Sequence, residues 1–199
     1  MIRPLLWLPL AALSLTPALA QEASLEKRVM KLHNLAGGEW CSRDGYVPDD
    51  AYESWTITYK PSWSDDAQEE QVTLVRVFCM AGAYNVNHSY YIERDYEGLT
   101  PLAFAMPSVD PQYEDDGIDG KLLSVPVVGM GTSLVLVNSE FDPDTNTITS
   151  FSKWRGLGDA SSSGTWAFRD GEFVLIHYEV DASYDDEINP ETVFEITTP

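Results

Sequence analysis

The chain has 199 residues, 44% of them hydrophobic, with 32 Asp and Glu against 12 Lys and Arg for a formal net charge of −20. That balance repels nucleic acid and anionic membrane surfaces, so polyanion binding is excluded. The length suits one domain with a substantial core, and the acidity serves solubility or draws in a basic partner or divalent cations.

Residues 1–20 read as an export signal. Arg3 supplies a basic start, Leu5 to Leu15 an apolar run of secretory length, and Ala18-Leu19-Ala20 a small-residue cleavage site. The run is shorter than the roughly 20 residues of a spanning helix, and no later stretch is long and apolar enough to cross a bilayer. The expectation is cleavage after Ala20, a periplasmic or secreted protein, and one β-rich domain over residues 21–199. Cys41 and Cys79 are the two cysteines. An even pair in an exported chain reads as a disulfide, worth about 4 kcal/mol for a loop of this length.

The helix candidate covers about residues 24–35. Leu25, Val29, Leu32 and Leu35 recur near a helical period, Ser24 is placed to cap the start, and Gly37-Gly38 ends it. His33 falls in the last turn, where a favourable end charge is its simplest role. Beyond Gly38 the pattern changes to short strands separated by turns. Glu53 to Lys60 alternates Trp55, Ile57 and Tyr59 against polar or small residues, and Val72 to Met80 is a strand that directs Val75, Val77 and Cys79 inward. Asn87 to Glu93 follows a short break at Ala81 to Asn85, which predicts an antiparallel pair. His88 on that strand reads as a half-buried sheet residue.

Pro101 to Met106 is a short strand, and Ser133 to Asn138 an apolar one expected to be covered on both faces. Between them, Asp110 to Gly120 is a loop whose Asp115, Asp116 and Asp119 read as solvated acids. Asp142, Asp144 and Asn146 imitate the first ligands of a calcium loop. Thr147, however, stands where that loop needs glycine, and Lys153 where it needs its closing glutamate. The stretch is therefore a turn, and no metal or cofactor is assigned to the chain.

Ser150 to Val180 holds the densest aromatic patterning. Asp170-Gly171 is a strong two-residue hairpin signal, pairing Arg169 with Glu172, Phe168 with Phe173, Ala167 with Val174 and Trp166 with Leu175. Trp166, Phe168, Phe173 and Leu175 then form a core-facing set in a hairpin interior to its sheet. Continuing the register places Gly164 and Ser163 across from His177 and Tyr178, with room for another backbone or a ligand, and an Arg169–Glu172 ion pair at the tip. Ser162 and His177 suggest a nucleophile and base, but no orienting acid is fixed by spacing. Thr192 to Thr197 supplies a last strand.

The order Gly82-Ala83-Tyr84-Asn85, Phe141-Asp142-Pro143, Arg155-Gly156-Leu157-Gly158-Asp159 and Gly164-x-Trp166 resembles the exported bacterial family called domain of unknown function 1176, over approximately Trp40 to Val180. The resemblance implies a periplasmic or surface protein and no assigned reaction. Relatives carry a cysteine directly after the Arg-Gly-Leu-Gly-Asp run and another further on. Here the first position is Ala160, and Asp181-Ala182 has none, so the loop after Asp159 would be held by packing alone.

These readings give a mostly antiparallel β-protein, a sandwich or partly closed barrel preceded by one N-terminal helix. No catalytic constellation is evident. The first functional expectation is a binding or inhibitor-like module whose acidic surface takes a basic protein or peptide. Its candidate ligand residues are Trp154, Arg155 and Asp159, with Tyr84 and Asn85 nearby. The alternatives are a structural or assembly role in the envelope, or an enzyme acting on cell-wall or glycan material.

Overall fold

The structure, a computed structural model, describes residues 17–38, 41, 47–63, 66–114, 117–118 and 120–196. Most of the expected export signal, Trp40, and Asp115, Asp116 and Asp119 of the acidic loop lie outside the described residues.

Helix α1 (Pro17–Gly37) starts earlier than the apolar period suggested. Proline suits a first helical turn, and the Ala-rich stretch after Pro17 consists of strong helix formers, so Ser24 lies inside the helix and does not cap it. Leu25 and Val29 are buried, and so is His33, whereas Leu35 is exposed. His33 stands four residues after Val29 and shares its stripe. Its Nδ1 is 2.9 Å from the Tyr91 hydroxyl, which makes it a core residue and overturns the end-charge expectation.

Strands β1 (Tyr52–Tyr59), β2 (Glu70–Ala81), β3 (Val86–Arg94) and β4 (Gly98–Pro101) pair antiparallel in chain order. The chain then leaves this sheet as a ribbon in which β5 (Phe104–Val109) pairs with β8 (Val127–Ser133), and β6 (Gln112–Tyr113) with β7 (Leu122–Ser124). It returns as β9 (Val135–Val137), which pairs with Asn87 to Ser89 of β3 and completes five strands. A second five-stranded antiparallel sheet follows in chain order: β10 (Glu140–Asp142), β11 (Thr147–Lys153), β12 (Ser161–Arg169), β13 (Glu172–Asp181) and β14 (Glu191–Glu195). Neither sheet closes into a barrel among the described residues.

The two sheets share one core. Ile57, Leu74, Tyr90 and Ile92 from the first meet Ile148, Trp166, Leu175 and Val180 from the second. Phe104 of the ribbon is wedged between Tyr90 and Trp166, with ring centroids 5.5 Å from each. Among the described residues this is a β-sandwich with one helix, as expected. The helix forms a third layer, since Leu25 and Val29 pack on Val75, Val77 and Tyr91. Val75 and Val77 thus point inward towards α1, while Val72 and Leu74 face the second sheet, and β2 is buried on both sides. The Cys41–Cys79 disulfide ties the end of α1 to β2, consistent with an oxidising compartment. Gly37 makes this approach possible, because a Cβ there would lie 2.6 Å from Cys41 Sγ.

Near its tip the final hairpin keeps the expected register, from Arg169–Glu172 to Trp166–Leu175, and it is interior to the second sheet. A bulge at Ile176 then shifts the pairing, so Gly164 faces Tyr178 and Thr165 faces His177. The space over Gly164 is filled by side chains: a Cβ there would be 2.5 Å from the Trp166 ring and 2.9 Å from Tyr178. Ser162 pairs with Val180, three steps along the register from His177. The carboxylate of Glu172 pairs with Arg94 at 2.7 Å, which replaces the expected Arg169 contact. The Ser133–Asn138 stretch is covered less completely than expected: Leu136 is buried and Val135 and Val137 are half-buried, but Leu134, which precedes β9, is exposed. Asp142 closes the β10–β11 turn by accepting from the Asp144 amide and the Thr145 hydroxyl, each at 2.8 Å.

Candidate functional site

The five expected ligand residues come together where the β2–β3 turn meets the β11–β12 loop. The Asn85 side-chain amide donates to Lys153 O at 2.8 Å and accepts from Lys153 N at 3.2 Å. Tyr84 Oη donates to Trp154 O at 3.5 Å, and the Trp154 indole donates to Ser162 Oγ at 3.3 Å. Arg155 turns the other way. Its Nε donates to Asp159 Oδ1 at 2.7 Å and its Nη2 bonds Asp159 Oδ2, Tyr184 O at 3.0 Å and Asp186 Oδ1 at 2.8 Å. The Asp186 amide adds a bond to Asp159 Oδ2 at 2.9 Å. The loop after Asp159 is therefore held by an ion pair and hydrogen bonds, not by packing alone.

Asp159 is 2% exposed. The hydrogen bond from Arg155 holds its carboxyl well below the usual range despite the opposing effect of burial, and Asp159 in turn raises Arg155. Neither group exchanges a proton near neutral pH, so the pair is a fixed ionic tie within the β11–β12 loop, and its bonds to Tyr184 and Asp186 join that loop to the β13–β14 loop. These five residues line none of the clefts described below.

A second polar cluster lies at the Tyr52 end of β1, where β1, β2 and β3 meet the β9–β10 link. Arg76, 7% exposed, donates to Ser139 O at 2.6 Å, to Asp50 Oδ2 at 3.1 Å and to Glu53. Tyr90 Oη donates to Ser139 Oγ at 3.0 Å, and that oxygen is 3.1 Å from His88 Nδ1. His88, also 7% exposed, is more deeply buried than its strand pattern indicated. Burial, followed by the Arg76 charge, lowers its pKa to about 4, against a weaker opposing pull from Asp50. The cluster floors a cleft of about 660 Å³ that Trp55, Glu140 and Phe141 also line. One signal in the sequence pointed to it: Arg76 interrupts the apolar face of β2 between Leu74 and Phe78, and a charge there must be paired.

The opposite end of the sandwich carries a cup of about 640 Å³ around the Asp170-Gly171 hairpin tip. Ser62 binds both oxygens of Asp170, at 2.7 and 2.6 Å, and thereby fixes the tip. Arg94 donates to Gly171 O and Glu172, both at 2.7 Å. Glu69, Glu70, Asp95, Glu97, Asp170 and Glu172 line the cup together with Arg94, which pairs with Glu97 and Glu172, and Tyr96 beside them is fully exposed. Burial and the bond to Glu70 push the Tyr59 hydroxyl up to about 12.

Residues 66–184 match the family model described as Protein of unknown function (DUF1176). The match covers more than half of the chain, and the chain belongs to that family. No curated protein and no solved structure matches it. Among the described residues, no helix is long and apolar enough to cross a membrane.

Proposed function

We propose that this member of the DUF1176 family is an exported binding module that captures a basic protein or peptide on its acidic hairpin-tip face. The observation that carries this reading is the cup, lined by six carboxylates and one guanidinium in a chain of net charge −20. Such a field steers a cationic partner and raises its association rate at low salt. The Asp170–Ser62 and Arg94–Gly171 bonds fix the tip that carries Asp170 and Glu172, so less ordering entropy is lost on docking there. The disulfide and the signal-like residues 1–20 support export. In this reading the Arg155–Asp159 pair, with Trp154, Tyr84 and Asn85, maintains the loops and does not contact the partner.

The test is titration of the protein with an oligolysine peptide at low and moderate salt, beside the variant E69Q/E70Q/D95N/E97Q. Salt-dependent association that this variant loses supports the reading. Association that is absent at low salt, or indifferent to the four substitutions, rejects it.

A further inference from the structure

The Arg76 cleft lies at the other end of β1 from the cup, and its chemistry differs. Arg76 pairs with Tyr90 in the β2–β3 ladder and Val72 with Arg94, a four-residue offset, roughly 13 Å along the strand. Its buried polar groups are not needed to fill the sandwich, because apolar residues of similar volume would serve stability as well or better. Arg76 Nε has no hydrogen-bond partner among the described residues, a cost that a purely structural pair would avoid.

The hydrogen bonds fix what the cleft offers. Tyr90 donates to Ser139 Oγ, so the Ser139 hydroxyl proton is free to donate to His88 Nδ1, and the remaining imidazole N–H, on Nε2, is offered to the cleft that His88 lines. That donor is neutral at physiological pH. Around it stand carboxylate acceptors: Asp50 and Glu53, held in place by Arg76, and Glu140, which makes no ion pair among the described residues. Trp55, tilted against Phe141 with ring centroids 5.1 Å apart, supplies an apolar wall.

We propose that this cleft binds a neutral saccharide. Each sugar hydroxyl both donates and accepts, which satisfies carboxylates and an imidazole N–H together, and the C–H face of a pyranose suits an aromatic wall. An anion would meet three carboxylates. A cation would leave the imidazole N–H without an acceptor and compete with Arg76 for Asp50 and Glu53. The volume lies in the ordinary range for small-ligand sites. This inference is independent of the basic-partner reading and survives its failure.

The experiment follows amide and indole resonances of the full protein during titration with maltotriose, cellotriose and tri-N-acetylchitotriose. Saturable shifts at Trp55 and His88 with at least one trisaccharide are expected. Glu140→Gln, an exposed change that leaves the fold intact, should weaken binding by about tenfold, and Trp55→Ala by at least as much. His88→Gln, which keeps an N–H donor, should bind better than His88→Ala. No saturable shift with any of the three, or affinity unmoved by both Glu140→Gln and Trp55→Ala, overturns the proposal. So does saturation of the same resonances by arginine methyl ester and by no sugar, which would assign the cleft to a cationic side chain.

Discussion

Ala160 and Ala182 each lie one residue beyond the Ser161–Asp181 pair that ends the β12–β13 ladder, and both are fully buried. They occupy the region in which the family resemblance leads one to expect a pair of cysteines. The Arg155–Asp159–Asp186 bonds close the same loops by electrostatic means.

The double substitution A160C/A182C is therefore expected to form a second disulfide under oxidising conditions. A loop of this length corresponds to about 3 kcal/mol of added stability. Free-thiol titration and a melt with and without reductant would check it; two reactive thiols after oxidation would show that the pair is not aligned.

Arg155→Ala leaves the Asp159 carboxylate buried without its cation, and the melting midpoint should drop by roughly 5–10 °C. The sign of the pH effect follows from the depressed Asp159 carboxyl. Its stabilisation is present above the ordinary carboxylate value and is lost as pH falls below that value. The variant should consequently show a flatter acid limb than the parent between about pH 4 and 2, measured by thermal melts across that range.

His88 acts in a neighbouring window. Its folded-state pKa of about 4 lies below the ordinary histidine value, so the unfolded chain takes up a proton that the folded chain refuses. Stability should fall as pH drops from about 6.5 to 4, by up to about 3 kcal/mol. Urea titrations at pH 7 and pH 4 on the parent and on His88→Gln measure this directly, and an equal loss in both would remove histidine as its source.

Gly164→Ala should destabilise by about 1–3 kcal/mol, because the new Cβ would be driven into the Trp166 and Tyr178 rings. Pairing it with Trp166→Phe should recover part of the loss if ring overlap is the cause. Denaturant midpoints of the single and double variants decide the matter.

Several features were legible in adjacent residues, although the Ser24 cap and the Arg169–Glu172 ion pair, expected on the same kind of signal, did not form. The Asp170-Gly171 turn set four pairs of the final hairpin, alternation located β1, β2 and β3, and the lone pair of cysteines identified the disulfide. The signature residues marked a family, and Tyr84, Asn85, Trp154, Arg155 and Asp159 do meet in space. These features depend on turn chemistry and on period, which a short window of sequence contains.

Other outcomes depend on partners far apart in the chain. The Ile176 bulge redirected Gly164 to Tyr178, Glu172 found Arg94, and α1 turned the Val75–Val77 face of β2 into a second buried layer. Above all, Asp50, Glu53, Arg76, His88 and Ser139 become one site only after three strands and a connecting link are brought side by side. The sequence by itself determined the β class, the hairpin and the family, because those signals are local. Tertiary structure alone decided where the buried polar groups converge, because hydrogen bonds between residues dozens of positions apart exist only once the sheet has formed.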